Sequence, residues 1–190
     1  MRRDADGIGH RHEDEHDLLH VLVVGAEVQS TAMDLSTRGR DTAVIFGDGA
    51  GAAVVSASQD DSGILSTHLH SEGKHCRELW VEAPSSGANP RLNQEILNDG
   101  RHFLQMNGRE VFRHAVTRFP EVIMEGLDAN GLTSKDIDLL VPHQANVRIA
   151  QMIQKRLKLE DDQVYLNIHK YGNTTAASIP IALSEAMNEG

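Results

Sequence analysis

A histidine and an asparagine, His143 and Asn173, each stand where an apolar, strand-like run gives way to a helix-like one. The two segments are Val141-Pro142-His143-Gln144-Ala145-Asn146 and Tyr171-Gly172-Asn173-Thr174-Thr175-Ala176-Ala177-Ser178. A polar side chain at such a junction is held at the carboxyl edge of a sheet, where open α/β folds place their chemistry. Taken singly, the histidine could cap the following helix and the asparagine could serve a turn. In successive βα units both emerge at one sheet edge, and two donors converging on one oxygen stabilise negative charge that develops there.

The elements that must position this pair follow from the apolar pattern. Residues 20–28 form a continuous apolar run of the kind expected for a strand buried on both faces. A polar loop over 34–41 precedes strand-like 42–46, and further strands are expected at 52–56 and 64–70. Residues 72–98, rich in Gly, Pro and polar side chains, read as a long surface loop. From Met106 the period becomes helical through Val111, Phe112, Ala115, Val116, Phe119, Val122, Ile123 and Leu127, with Pro120 expected to kink or split the helix. Thr133 and Asp136 form a capping-box pattern. Strands are expected at 137–141 and 164–168. Helices are expected at 144–159, with Val147, Ala150, Ile153 and Leu157 inward, and at 174–188, where Pro180 falls early enough to be tolerated.

The bulk numbers narrow the function classes. The 190 residues are 39% hydrophobic and 24% charged, which suits one globular domain or part of a larger one. A net charge of −10 argues against general nucleic-acid binding, which needs a basic face. No apolar stretch is long enough to cross a bilayer, and the single cysteine, Cys76, fits a reducing compartment, so the expected setting is soluble and cytoplasmic. His10, His12 and His16 lie in an acidic, polar opening of 17 residues whose spacing matches no tight metal site, and no metal is expected. Gly47-Asp48-Gly49-Ala50-Gly51 lacks the pattern of a phosphate loop and reads as a turn between strands, requiring glycine for its dihedrals or for close backbone approach. Cys76, His143 and Asn173 follow the chain order of papain-like proteases. However, Gly73-Lys74-His75-Cys76-Arg77-Glu78 does not match that family's signature, so Cys76 reads as a loop thiol.

Four segments carry a more specific resemblance: Phe46-Gly47-Asp48-Gly49-Ala50-Gly51-Ala52-Ala53-Val54, Met106-Asn107-Gly108-Arg109-Glu110-Val111-Phe112, and the His143 and Asn173 segments. In order and spacing the chain, from about Val21 to its end, resembles β-ketoacyl-acyl-carrier-protein synthase III, the initiating condensing enzyme of type II fatty-acid synthesis. The resemblance implies an α/β, thiolase-like layered fold. It is expected to be incomplete: 1–17 a polar lead without folded structure, 18–60 the end of the amino-terminal half, and 61–190 the carboxy-terminal half lacking its final strands.

The resemblance also implies a decarboxylating Claisen condensation of an acyl-CoA primer with malonyl-acyl carrier protein, with His143 and Asn173 as the enolate-stabilising pair. Arg38, Phe112 and Asn146 match positions that bind the CoA nucleotide or line the pantetheine tunnel, and Arg109 replaces a small polar residue. Arg148 and Lys155, seven apart on one helical face, with Arg156 beside them, would dock the acidic carrier protein. No cofactor beyond the two thioesters is implied, and the intact enzyme is expected to be a homodimer binding neither nucleic acid nor membrane. The family's nucleophilic cysteine lies upstream of the first strand seen in this chain. The expectation is therefore a fragment that forms no acyl-enzyme by itself and dissolves poorly. The alternatives are a related condensing enzyme of polyketide or long-chain alkene pathways, and a non-catalytic truncated or split-gene product.

Overall fold

The computed structural model describes residues 20–58, 60 and 62–190; the polar lead assigned to 1–17 lies outside them. The chain enters as strand β1 (His20–Glu27), passes a 3₁₀ turn at Ser30–Ala32 and a helical turn α1 (Arg40–Ala43), and returns as β2 (Gly49–Ser56). β1 and β2 pair antiparallel from His20 against Ser56 to Glu27 against Gly49. A second ribbon pairs β3 (Leu79–Val81) with β4 (Leu104–Met106), the short helix α2 (Gln94–Asp99) lying between them in sequence. The remaining elements are the long helix α3 (Gly108–Ala129), α4 (Val147–Leu157), a short α5 (Ile168–Tyr171) and the final α6 (Ser178–Glu189).

The core lies between α3 and α4. Ile149, Ile153 and Leu157 of α4 join Leu159 and Val164, and Phe112, Ala115, Val116 and Phe119 of α3 pack against them. Side chains three and four apart on each helix meet in this way because they share a face. Both helix starts are capped as the local sequence dictates. Asn107 Oδ1 accepts from the Glu110 amide, and Asn146 Oδ1 from the Arg148 amide at 2.9 Å. The capping box of Thr133 and Asp136 forms as expected, around a 3₁₀ turn at Ser134–Asp136.

Several expected elements take another form. Pro120 does not split α3; it is buried inside a helix of 22 residues. Val147, the first residue of the helix, is 43% exposed, and Ile149 joins Ala150, Ile153 and Leu157 on the buried face in its place. Residues 42–46 are not a strand: α1 occupies their start, and only Phe46 bridges, in parallel, to Asn173. Residues 64–70 form no strand and leave Leu69 almost fully exposed, so their alternating pattern has no ladder to join. The 72–98 stretch is not wholly loop, since it contains β3 and most of α2. β1 is not buried on both faces; Leu22 and Val24 stand outward, and the 175–177 turn and α6 cover only part of the ribbon.

The expected strands at 137–141 and 164–168 shrink to a single parallel bridge, Leu140 against Val164. The Leu140 amide donates to the Gln163 carbonyl, and the Tyr165 amide donates to the Leu140 carbonyl. The next rung would need an N–H from Pro142, which has none. The ladder ends there, one residue before His143.

Candidate active site

Gln144 replaces the missing rung. Its Nε2 donates to the Tyr165 carbonyl at 3.1 Å and to the Pro142 carbonyl at 2.9 Å. Its Oε1 accepts from the amides of Asn167 and Ile168 at 3.1 and 3.2 Å. All four hydrogen-bonding positions of the amide are thereby used on backbone, in a residue only 2% exposed. Gln144 thus ties the segment carrying His143 to the segment leading to Asn173.

Asn173 is fixed from three sides. Its backbone is clamped by the Gly47 amide on its carbonyl and by its own amide on the Ile45 carbonyl. Its Oδ1 accepts from the Thr175 amide at 2.9 Å, which turns Nδ2 away, and Nδ2 has no hydrogen-bond partner among the described residues. The preceding α5 is anchored by Glu185, whose carboxylate accepts from Tyr171 Oη at 2.6 Å, Asn167 Nδ2 at 2.8 Å and Lys170 Nζ at 3.3 Å. These hydrogen bonds, that from Tyr171 foremost, hold the Glu185 carboxyl down to about 2.

The turn after Asn173 is tight. Thr175 adopts φ +44°, a region costly for a β-branched residue. Strand β1 presses on this turn through Gly25, where a Cβ would lie 2.3 Å from the Ala176 carbonyl oxygen. Gly47 serves a similar approach to the Tyr171 carbonyl. The glycines of 47–51 all keep negative φ, so close approach, not unusual dihedrals, explains them. The segment leads from the single Phe46 bridge into β2 rather than joining two strands.

His143 joins the same turn. Its Nδ1 lies 2.6 Å from Ser178 Oγ, which also donates to the Thr175 carbonyl at 2.8 Å and accepts from the Gln144 amide at 3.3 Å. A hydroxyl has one proton. While it points at Thr175, His143 must supply the proton on Nδ1, and Nε2 keeps a lone pair. Turned toward Nδ1, the same hydroxyl shifts the imidazole proton to Nε2 and makes that nitrogen a donor. The ring is neutral in either arrangement, because burial pushes its pKa below the ordinary 6.5.

That depression fixes a pH dependence. Between the folded pKa and 6.5 the unfolded chain carries the extra proton, so stability is full above about 6.5 and falls as pH drops through that window. The unfolding midpoint of His143→Gln is expected to lose this part of the slope; an unchanged slope would show that His143 does not titrate in this way.

The other residues singled out in the sequence are dispersed. Arg38 is held by Asp34 at 2.6 Å and by the Asn98 carbonyl at 2.9 Å, while Asp34 falls to about 2 through its bonds to Ser36 and Arg38. Phe112 packs in the core beside α4, and Asn146 caps that helix. Arg148, Lys155 and Arg156 are exposed on α4, with the half-exposed Met152 between the first two. Cys76 is exposed at the end of the 3₁₀ turn Gly73–His75, on a different element from His143 and Asn173. Gln144, Thr175, Ser178 and Glu185 were not assigned roles from sequence. Gln144 follows His143 directly, and the full hydrogen-bonding capacity of an amide beside a proline that ends a strand is the signal that could have found it.

Two models of one family match the chain: 3-oxoacyl-[acyl-carrier-protein] synthase III over residues 13–73, and the C-terminal model of the same synthase over residues 127–190. The chain belongs to this synthase III family. It is 46% identical over 171 residues to the beta-ketoacyl-[acyl-carrier-protein] synthase III of Clostridioides difficile strain 630, covering 90% of this chain and 51% of that relative. The crystal structure of the synthase III from Aquifex aeolicus VF5 superposes with a TM-score of 0.77 at 43% identity, covering 90% of this chain and 49% of that one. The synthase III structure from Thermus thermophilus gives 0.79 at 41% identity, with 90% and 51% covered. The chain therefore spans about half the length of the synthase III relatives it matches, and its architecture is the thiolase-like fold of this family in incomplete form. No helix among the described residues is long and apolar enough to cross a membrane.

Proposed function

We propose that this chain carries the enolate-stabilising part of a decarboxylative Claisen condensation, in which an acyl-CoA primer is joined to malonyl-acyl carrier protein in fatty-acid biosynthesis. The supporting observation is the hydrogen-bonded path from His143 through Ser178 and Thr175 to Asn173. When the malonyl carboxylate leaves as carbon dioxide, the electrons of the broken C–C bond pass to the α-carbon and spread onto the thioester oxygen. The Asn173 Nδ2 hydrogens, and the Nε2 hydrogen that His143 carries when Ser178 turns to Nδ1, are the donors offered to that oxygen. Held in place before the charge appears, each contributes about 3–4 kcal/mol.

The remaining assignments rest on this reading. Arg38, Phe112 and Asn146 serve the acyl-CoA, and the basic α4 face of Arg148, Lys155 and Arg156 receives the acidic carrier protein. The reaction uses no cofactor beyond its thioesters. The assembled enzyme is a cytoplasmic homodimer. The chain on its own forms no acyl-enzyme, because its one cysteine, Cys76, lies on an exposed turn apart from His143 and Asn173.

Incubation of the purified chain with labelled malonyl-acyl carrier protein is expected to release labelled carbon dioxide. His143→Ala and Asn173→Ala are each expected to slow release by about 10²–10³-fold. Labelled acetyl-CoA is expected to leave no thiol-labile label on the protein. No release, equal release from both variants, or an acyl label abolished by Cys76→Ser would overturn the reading.

A further inference from the structure

Away from His143 and Asn173, a groove of about 800 Å³ runs between the 68–75 segment and α3. Four of the chain's 11 histidines, His68, His70, His75 and His114, line it together with Glu72 and Glu125. Glu125 is already engaged, its two oxygens lying 3.0 Å from His68 Nδ1 and 2.7 Å from His70 Nε2. The other three residues are arranged differently. Glu72, His75 and His114 each offer one ligand atom, and these atoms all lie within 4.8 Å of one another.

Local structure produces this convergence. The 3₁₀ turn Gly73–His75 closes with the His75 amide on the Glu72 carbonyl, and it brings the Glu72 and His75 side chains to one side, 3.4 Å apart. α3 supplies His114, whose ring centroid is 4.0 Å from that of His75. Arg113 Nη2 lies 3.3 Å from His114 Nε2. A guanidinium can only donate, so His114 Nε2 is the unprotonated nitrogen and its one lone pair accepts from Arg113, a hydrogen bond that a metal ion at Nε2 must displace. Two imidazoles and one carboxylate, with space left in an open groove, form a three-ligand set suited to Zn²⁺ and leave a fourth position for water.

We propose that Glu72, His75 and His114 bind a divalent transition-metal ion of the Zn²⁺ class, clipping the 72–76 turn to α3. The ion takes the place of Lys74 and Arg118, which pair with Glu72, and of Arg113, which lies against His114 Nε2. This site is independent of the condensation chemistry, since none of its ligands touches His143, Ser178 or Asn173.

Isothermal titration of the chelator-treated full chain with ZnCl₂ tests this. His75→Gln and His114→Gln are each expected to weaken Zn²⁺ binding by roughly tenfold or more. Glu72→Gln, an exposed and conservative change, provides a variant whose fold is not in question, and it is expected to weaken binding in the same direction. His10→Gln, His12→Gln and His16→Gln together are expected to leave this binding event in place, which separates it from the histidine-rich lead. Zn²⁺ is also expected to raise the unfolding temperature of the parent chain but not of His114→Gln. No binding, or binding lost in the lead variant and unchanged in Glu72→Gln and His114→Gln, would overturn the proposal.

Discussion

Gln144→Met is expected to destabilise the chain by roughly 3–5 kcal/mol, although methionine nearly matches glutamine in shape. The substitution leaves the Pro142 and Tyr165 carbonyls without donors and the Asn167 and Ile168 amides without an acceptor, around a side chain that is itself 2% exposed. Each stranded group costs about 1–3 kcal/mol, and local relaxation recovers part of the sum. The effect should be local as well as global. Hydrogen exchange at the Asn167 and Ile168 amides is expected to accelerate first, because Gln144 Oε1 is their acceptor. Unchanged protection of these two amides would show that the clamp does not operate in solution.

Gly25→Ala is the second large effect, and it acts through space rather than through lost bonds. The added methyl would sit 2.3 Å from the Ala176 oxygen and 2.9 Å from the Ala177 nitrogen. Both are backbone atoms, so no side-chain rotation relieves the clash, and β1 or the 175–177 turn must move. A cost of about 3 kcal/mol is expected, at the upper end for overpacking by one methyl group. Because Thr175 anchors both Asn173 and Ser178, the proposed malonyl-thioester decarboxylation should fall with stability although no donor is changed. Gly73→Ala, with open space at the added carbon, is the matched control and should leave the unfolding transition in place. Equal behaviour of the two variants would contradict the contact between β1 and the turn.

These two residues also show where reading the sequence stops. The long helices α3, α4 and α6 and the capping box of Thr133 with Asp136 were legible because their determinants lie within one or two turns, whereas Asn107 and Asn146 emerge as caps only in the structure. His143 and Asn173 could be singled out together because both follow apolar runs; the structure links them through Ser178 and Thr175, and their shared role is the one proposed above. The strands at 137–141 and 164–168 were over-read, since apolar residues mark burial but do not say how many ladder rungs a partner can supply. Pro142 limits that number, and Gln144 makes up for it across a separation of 21 residues. Ser178 was visible only as the last letter of a motif; its contact with His143 spans 35 residues and depends on how α6 docks. The outward Leu22 and Val24 of β1 belong to the same class of error, because burial on both faces is a property of neighbouring layers and not of the strand.

β1 has a mechanical consequence. Its inner face meets the Thr175–Ala177 turn through Gly25, with no side chain between the two backbones, while Leu22 and Val24 on the same strand face outward. The turn is held in a conformation it would not choose unaided, so it behaves as a loaded spring whose stop is the strand. One strand's thickness separates that stop from the outer surface. A body that settles on Leu22 and Val24 and shifts β1 by a fraction of an ångström would be felt at Asn173 and Ser178 as a change in aim.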